Sequence, residues 1–347
     1  MRIFLLLLTA VVCRADVYLS TDVGETWAAR GPKDFSVTQL VPDPKSPAVA
    51  WAIATPTVAA PGEALRFASP AVLRTGDSGR TWEAIESYKG PDPFCIAVDP
   101  ANTDVVYVGG TFGRIQKSSD GGKTWALISL KDSFKKLDGT TTEPQVDVHV
   151  VSARGDRLLA AGCRALDVGY IALSTDAGKT WTMIRADSRA SCVFAGDRIL
   201  AVNRFGEAVS STDNGRTWTI FRNMRGMEPQ VGDCYGAFAT SPDGKEVVFS
   251  CHGDTKSSVD SADWKIWPAS VKNAYAANVA WSGTRMLAIF RHGEYDDREG
   301  AFHEGAKRSL RIHDVTGEWI PISAPDERLP ISLASNCDGS AVWFIAK

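Results

Sequence analysis

The sequence has little net charge, no long apolar run beyond its first residues and no helical hydrophobic period. Its 38 basic and 41 acidic residues leave a formal charge of −3 over 347 residues. A chain so close to neutrality has no overall field that would attract nucleic acid, and we predict no nucleic-acid partner. The lack of a helical period argues against an α-helical fold.

Several signatures of catalysis are also missing. The sequence has neither the Gly-x-Ser-x-Gly turn of serine hydrolases nor the Gly-x-x-x-x-Gly-Lys-Ser/Thr phosphate loop. Its five histidines and seven cysteines follow no zinc-site spacing. We therefore predict neither a metal nor a cofactor.

The first fifteen residues predict export. Residues 1–15 combine an early Arg2, an apolar stretch of about ten residues and a small-x-small end at Cys13-Arg14-Ala15, as signal peptides do. The stretch is too short to span a bilayer. Lipidation of Cys13 is the alternative, although Val12 fits that processing site poorly. We predict a secreted or periplasmic protein with no transmembrane segment.

An eight-residue frame, Ser/Thr-x-Asp-x-Gly-x-Thr-Trp, occurs five times. Its acids are Asp22, Asp77, Asp120, Asp176 and Asp213, and its tryptophans are Trp27, Trp82, Trp125, Trp181 and Trp218. Two eroded copies surround Asp260 and Asp314. Each copy predicts a β-hairpin turn, because the carboxylate can accept hydrogen bonds from turn amides and glycine supplies a positive φ. The Thr-Trp pair then opens the next strand.

This frame resembles the Asp-box (BNR) repeat of sialidases, sortilin-type receptor domains, some xyloglucan hydrolases and photosystem II stability and assembly factors. The resemblance implies a β-propeller, and the repeat specifies architecture rather than activity. The seven acids recur about every 49 residues, which is the size of a four-stranded blade. We therefore predict an all-β fold, a single seven-bladed β-propeller of four-stranded antiparallel blades over residues 16–347.

The two ends of the chain predict how the propeller closes. Residues 16–19 read as a third strand that runs directly into a box, whereas residues 331–335 and 341–346 read as first and second strands. Each end supplies what the other lacks, so we expect one blade built from N- and C-terminal strands, which removes open sheet edges. We expect a monomer.

The resemblance places ligands on the face opposite the box turns. The longest segments expected there are 55–70, 131–144, 222–232 and 291–307, and the last is either a binding loop or a solvated excursion. Candidate ligand-binding residues are Arg164, Arg204, Arg291, His149, His252, His292, Glu294 and Tyr295. The three arginines follow second strands at equivalent places. They either converge into a carboxylate or phosphate receptor or pair with neighbouring acids.

A glycoside hydrolase is the alternative function. It needs two carboxylates about 5–9.5 Å apart, and the catalytic candidates near the axis are Asp147 and Asp233. Asp147 and His149 share one face of their strand. The pair either has a role near the channel or forms an internal hydrogen-bonded couple. The Phe/Tyr-Arg-Ile-Pro segment of sialidases is absent. The leading hypothesis is therefore an exported, non-catalytic scaffold that binds a protein or a glycan, and we expect an acidic ligand if the three arginines converge.

Two disulfides are predicted from position. Cys234 and Cys251 are symmetric about the Pro242-Asp243-Gly244 turn, so they are expected to face each other on adjacent strands. Cys163 ends a second strand and Cys192 begins the next first strand, which makes them the other candidate pair. Cys95 and Cys337 remain unassigned.

Overall fold

A computed structural model shows that the described part of the chain is a β-propeller. It describes residues 16–57, 69–130, 134–136, 138–140, 147–165, 168–187, 190–203, 206–222, 237–241, 246–251, 254–258, 265–266, 274–296, 301–313, 318–324, 330–336 and 338–346. No helix in these ranges has the length and apolarity needed to cross a membrane.

Six of the sheets are blades of four antiparallel strands. One joins both ends of the chain and contains β1 (Asp16–Ser20) and β2 (Ala28–Ala29) together with the last two strands, β28 (Pro330–Ser335) and β29 (Val342–Ala346). Two precede the middle of the chain: β3 (Phe35–Pro42), β4 (Ala50–Pro56), β5 (Ala71–Thr75) and β6 (Glu83–Ala84), then β7 (Pro93–Val98), β8 (Val106–Gly110), β9 (Arg114–Ser118) and β10 (Ala126–Ser129).

The remaining sheets follow in chain order. A five-stranded sheet contains β11 (Phe134–Lys136), β12 (Asp147–Arg154), β13 (Arg157–Ala165), β14 (Val168–Ser174) and β15 (Trp181–Asp187). The next blade has β16 (Ala190–Ala195), β17 (Arg198–Asn203), β18 (Ala208–Ser211) and β19 (Thr219–Arg222). The last two have β20 (Ala237–Thr240), β21 (Val247–Cys251), β22 (Asp254–Ser258) and β23 (Lys265–Ile266), then β24 (Ala274–Ser282), β25 (Arg285–Asp296), β26 (Ala301–His313) and β27 (Trp319–Ile322).

The prediction of seven four-stranded antiparallel blades is wrong. Six blades of that kind are present in the described residues, and the sheet around β12–β15 departs from it. There β11 pairs in parallel with the outer strand β15, with Phe134 opposite Trp181. Part of the segment predicted as a loop over 131–144 is therefore an additional edge strand. The box spacing reports the length of a blade, and it carries no signal for a strand that an insertion adds to the edge.

The two ends of the described chain meet in one blade. β1 pairs antiparallel with β29 over five residues, from Asp16 opposite Ala346 to Ser20 opposite Val342. Phe344 is fully buried, and its ring lies 6.0 Å from Tyr18 and 5.2 Å from Trp27. The shared terminal blade predicted from the sequence is present.

The five boxes form turns of one geometry. In the box of Asp120, the Ser118 hydroxyl donates to the carboxylate at 2.8 Å and accepts the Gly122 N–H at 2.8 Å. The amide and hydroxyl of Thr124 both donate to the same carboxylate. Gly122 has a φ of +90°, and a Cβ there would press on the Trp51 ring of the preceding blade. Each box thus closes its own hairpin, and its glycine lets the turn approach the neighbouring blade.

The inner strands carry a recurrent bulge. The register shifts by one residue in five of the strands that begin a blade, and the bulged residues are Thr38, Phe94, His149, Ala277 and Ile331. A bulge redirects a side chain out of the regular alternation. Each of these five residues is less buried than the apolar residue that precedes it, which is consistent with side chains that face the central channel.

Candidate ligand-binding face

The first strand of each blade begins at the face opposite the box turns, so residues near these starts surround the channel mouth. We call this side the loop face. A cavity of about 460 Å³ lies there between the inner strands of several blades. It is lined by Ser191, Cys192, Val193, Phe238, Ala277, Asn278, Val279, Arg291, Ile331 and Leu333. Its volume lies within the range of small-molecule binding sites.

Arg291 is the charged residue among the described lining of this cavity. It lies on β25, half-buried, and pairs across the sheet with Arg308 of β26. The Arg308 guanidinium donates to the Pro330 carbonyl at 2.9 Å, which ties the two blades together. The other described lining residues are uncharged, so Arg291 supplies the charged group of that lining.

His292 follows Arg291 and lies beside further positive charges. Its Nε2 is 2.7 Å from the hydroxyl oxygen of Ser309. Burial, with Lys307 and Arg311 nearby, lowers the pKa of His292 below its usual range. The imidazole is therefore neutral at pH 7, and it can exchange a hydrogen bond without adding charge.

Asp147 and His149 lie on another part of the loop face. The Asp147 carboxylate accepts the backbone N–H of Phe112 at 3.0 Å, across two neighbouring sheets. The His149 ring stacks on Phe94 at 5.1 Å with an interplanar angle of 29°. The Asp147 carboxylate therefore holds the loop between β8 and β9.

Most of the other predicted site residues can be placed only in part. Arg204, Asp233, Cys234 and His252 lie outside the described residues. Arg164, Cys251, Glu294 and Tyr295 are placed as strand backbone, in β13, β21 and β25. Glu294 and Tyr295 belong to the β25–β26 hairpin, in which Glu294 pairs with His303 and Tyr295 with Phe302. The segment 291–307, predicted as a loop, is thus largely a hairpin.

The structure contains no disulfide between Cys163 and Cys192, so that pair is a wrong prediction. Both residues are buried thiols, as is Cys95. Burial raises the pKa of Cys95 and of Cys192 to about 12. The prediction used position along the chain alone. Cys163 lies in β13 opposite Asp147, and Cys192 lies in β16 opposite Ala201. They are in consecutive sheets, as expected, but neither is in a disulfide.

Sequence reasoning missed Phe94 and Phe112. Phe94 is 40% exposed and Phe112 72% exposed, which is unusual for phenylalanine. Phe94 reads as part of an inner strand, and a bulge cannot be predicted from its sequence. The one available signal for Phe112 was the Gly109-Gly110 pair just before it and Gly113 just after it, which marks a strand end with unusual backbone angles.

Comparisons with known proteins support the fold. No protein-family model matches the sequence, and no curated protein matches it. Among solved structures, the chain is similar to the GH74 xyloglucanase from Xanthomonas campestris, with a TM-score of 0.58 and 17% identity over 95% of this chain and 52% of that one. It therefore spans about half the length of that enzyme. Such low identity carries information about the fold alone.

Two other solved structures match over nearly their whole length. YCF48 from Cyanidioschyzon merolae has a TM-score of 0.54 and 13% identity over 90% of this chain and 96% of that one. A chain of the mitotic checkpoint complex has a TM-score of 0.53 and 11% identity over 90% and 95%. The neighbours thus include YCF48 and GH74 propellers, which are β-propellers of the BNR and sialidase-like kinds.

Proposed function

We propose that this protein is an exported binding propeller without catalytic activity, which holds a partner protein or a glycan at its loop face. The observation that carries the proposal is the cavity on the loop face, whose described lining includes the guanidinium of Arg291. Arginine presents a rigid fork that matches a carboxylate. The ligand group we assign to the cavity is accordingly acidic.

The alternative is a glycoside hydrolase that uses Asp147 and Asp233. Such an enzyme needs one carboxyl group to protonate the leaving oxygen and another to act as base or nucleophile. The hydrogen bond from the Phe112 amide occupies one oxygen of Asp147, which favours the binding hypothesis. The position of the Asp147 carboxylate on the loop face keeps the hydrolase as a second candidate.

Calorimetry with blocked amino acids tests the binding hypothesis. Acetyl-glutamate methylamide should bind, and the neutral acetyl-glutamine methylamide should bind much more weakly. Arg291→Gln should weaken binding of the glutamate probe about tenfold or more, since a charged hydrogen bond contributes about 1.5–3 kcal/mol. Arg285→Gln is the matched control, because Arg285 is exposed at the opposite end of the same strand.

The same protein samples distinguish the hydrolase hypothesis from the binding hypothesis. Asp147→Asn and Asp233→Asn should leave binding of the glutamate probe unchanged, because no proton transfer is involved. Release of reducing sugar from a polysaccharide panel is measured in parallel. Turnover by the unmodified protein that disappears in either aspartate variant would overturn the proposal.

A further inference from the structure

Phe112 has a backbone conformation that sets it apart from the rest of the described chain. Its φ is +58°, in the left-handed region, which is an outlier for a bulky side chain. The other described non-glycine residues with positive φ are Val23, Ser78, Ala177 and Asn214, and each occupies the same position of a box turn. Those four are explained by the turn they share. Phe112 lies outside the boxes, in the turn between β8 and β9 where the Arg114 N–H donates to the Thr111 carbonyl, and its side chain is 72% exposed.

Neighbouring residues hold this conformation in place. The Asp147 carboxylate accepts the Phe112 N–H from the next sheet. Gly110, two residues earlier, pairs with Pro93, and a Cβ at Gly110 would collide with the Asp92 carbonyl. A strained residue persists where its surroundings determine it, and such residues concentrate at ligand sites.

Phe94 stacks on His149, and the Asp147 carboxylate accepts the Phe112 N–H. We call these four residues the aromatic ledge. Phe94 and His149 are the bulged residues of consecutive inner strands, and their rings stack. Asp147 and His149 are two residues apart on β12, and Asp147 fixes Phe112. One strand therefore positions both exposed phenylalanines.

Two carboxylates and one guanidinium, that of the exposed Arg114, lie in the chain segments beside these rings. Asp147 belongs to the ledge, and Asp92 is exposed next to Pro93, where the phenylalanine-bearing strand begins. The face of an aromatic ring carries partial negative charge and attracts ammonium or guanidinium groups. A carboxylate adds to that attraction, whereas it would repel an acidic group.

We propose that the aromatic ledge binds a cationic side chain, guanidinium or ammonium, of a partner polypeptide. The cation lies over the exposed phenylalanine rings with the Asp147 carboxylate at its edge. This proposal rests on the proposed function and assigns a partner class to the same face: a polypeptide that presents a basic side chain to the ledge and an acidic group to the Arg291 cavity.

An NMR titration tests the proposal. The phenylalanine and histidine rings of the protein are isotope-labelled, and a small probe is added stepwise. The probe is acetyl-arginine methylamide, and its control is the neutral isostere acetyl-citrulline methylamide. The arginine probe should shift the Phe112 and His149 ring signals, and the citrulline probe should bind about two- to fivefold more weakly, as expected for a cation at exposed rings. Equal binding of the two probes would overturn the proposal.

Variants measure what individual ledge residues contribute to arginine binding. Phe112→Ala should weaken arginine binding about two- to fivefold, and Phe112→Tyr should retain it. Asp147→Asn keeps an acceptor for the Phe112 N–H and removes the negative charge. It should weaken arginine binding, and the size of the loss measures the electrostatic contribution of the carboxylate. Leu127→Ala is the control, because Leu127 is 55% exposed on the outer strand β10.

The outcome also separates this proposal from the proposed function. Suppose that the ledge binds no cation but the glutamate probe still binds in a manner that depends on Arg291. Then only the ledge assignment fails. If a methyl glycoside shifts the Phe112 and His149 signals and the arginine probe does not, the ledge is a sugar subsite and the polypeptide assignment is wrong.

Discussion

At the scale of single residues, the box serine or threonine contributes as much as the aspartate that defines the motif. Ser118 is fully buried, and its hydroxyl both donates to Asp120 and accepts the buried N–H of Gly122. Equivalent pairs of hydrogen bonds occur at Ser20, Thr75, Ser174 and Ser211. The first position of the frame accepts hydroxyl residues because both roles need a hydroxyl group.

Replacing Ser118 with alanine should lower the free energy of unfolding by about 1–3 kcal/mol, because the buried Gly122 N–H loses its acceptor. Denaturant unfolding measures the change. Thr124→Ala in the same box is the control, since Thr124 is exposed and water can replace its hydroxyl. An effect of Thr124→Ala as large as that of Ser118→Ala would contradict this account.

At the scale of the turn, the box carboxylates are acceptors surrounded by donors. Hydrogen bonds from Thr81, Thr124 and Thr217 lower the pKa of Asp77, Asp120 and Asp213 to about 2. The hydroxyl of Thr81 is the largest cause at Asp77, the hydroxyl of Thr124 at Asp120, and the amide of Thr217 at Asp213. The turns therefore depend on ionised carboxylates.

This dependence predicts the direction of acid unfolding. A folded pKa near 2 lies below the ordinary value of 3.8, so these turns stabilise the fold fully above about pH 4 and lose that contribution as the pH falls towards 2. The denaturant midpoint should fall over that interval. A triple variant with asparagine at positions 77, 120 and 213 should show a shallower fall. Lys123→Gln, a change in the same turn that removes no carboxylate, should retain the original slope.

The sequence predicts these turns better than it predicts the face on which a ligand would bind. The boxes recur because hairpin, acceptor and glycine are local requirements, so residues eight apart or fewer determine them. The bulges at Phe94 and His149 lie in strand pairings, and the extra strand β11 pairs with β15, which follows it by more than forty residues. The stack of Phe94 on His149 joins residues 55 positions apart. No local pattern in either strand records such a contact.

At the scale of the whole molecule, the blade shared by β1 and β29 holds the two ends of the ring together. Its buried residues include Val17, Trp343 and Phe344. Phe344 contacts rings from both β1 and the first box. This blade thus connects the start of the chain to its end through a packed core as well as through hydrogen bonds.

Phe344→Ala should destabilise the protein by about 3–5 kcal/mol, as expected when a fully buried phenylalanine is truncated. Ile320→Ala serves as the control, because Ile320 is 45% exposed and surface truncations change stability by about 0.5 kcal/mol or less. Calorimetric unfolding compares the two variants. A single transition shifted to lower temperature is expected for Phe344→Ala, and an unchanged midpoint would show that the shared blade does not hold the ring.

The pairing of β1 with β29 also means that the ring can close only after the last strand has been synthesised. The ribosome delivers β1 first among these strands and β29 last, so one edge of β1 has no partner while every other blade is being made. Closure joins residues as distant as Asp16 and Ala346, and contacts of such large sequence separation form slowly. Until then, the nascent protein carries an open strand edge that invites misassembly. Completion of the ring is therefore the step at which folding helpers would have the most effect on yield.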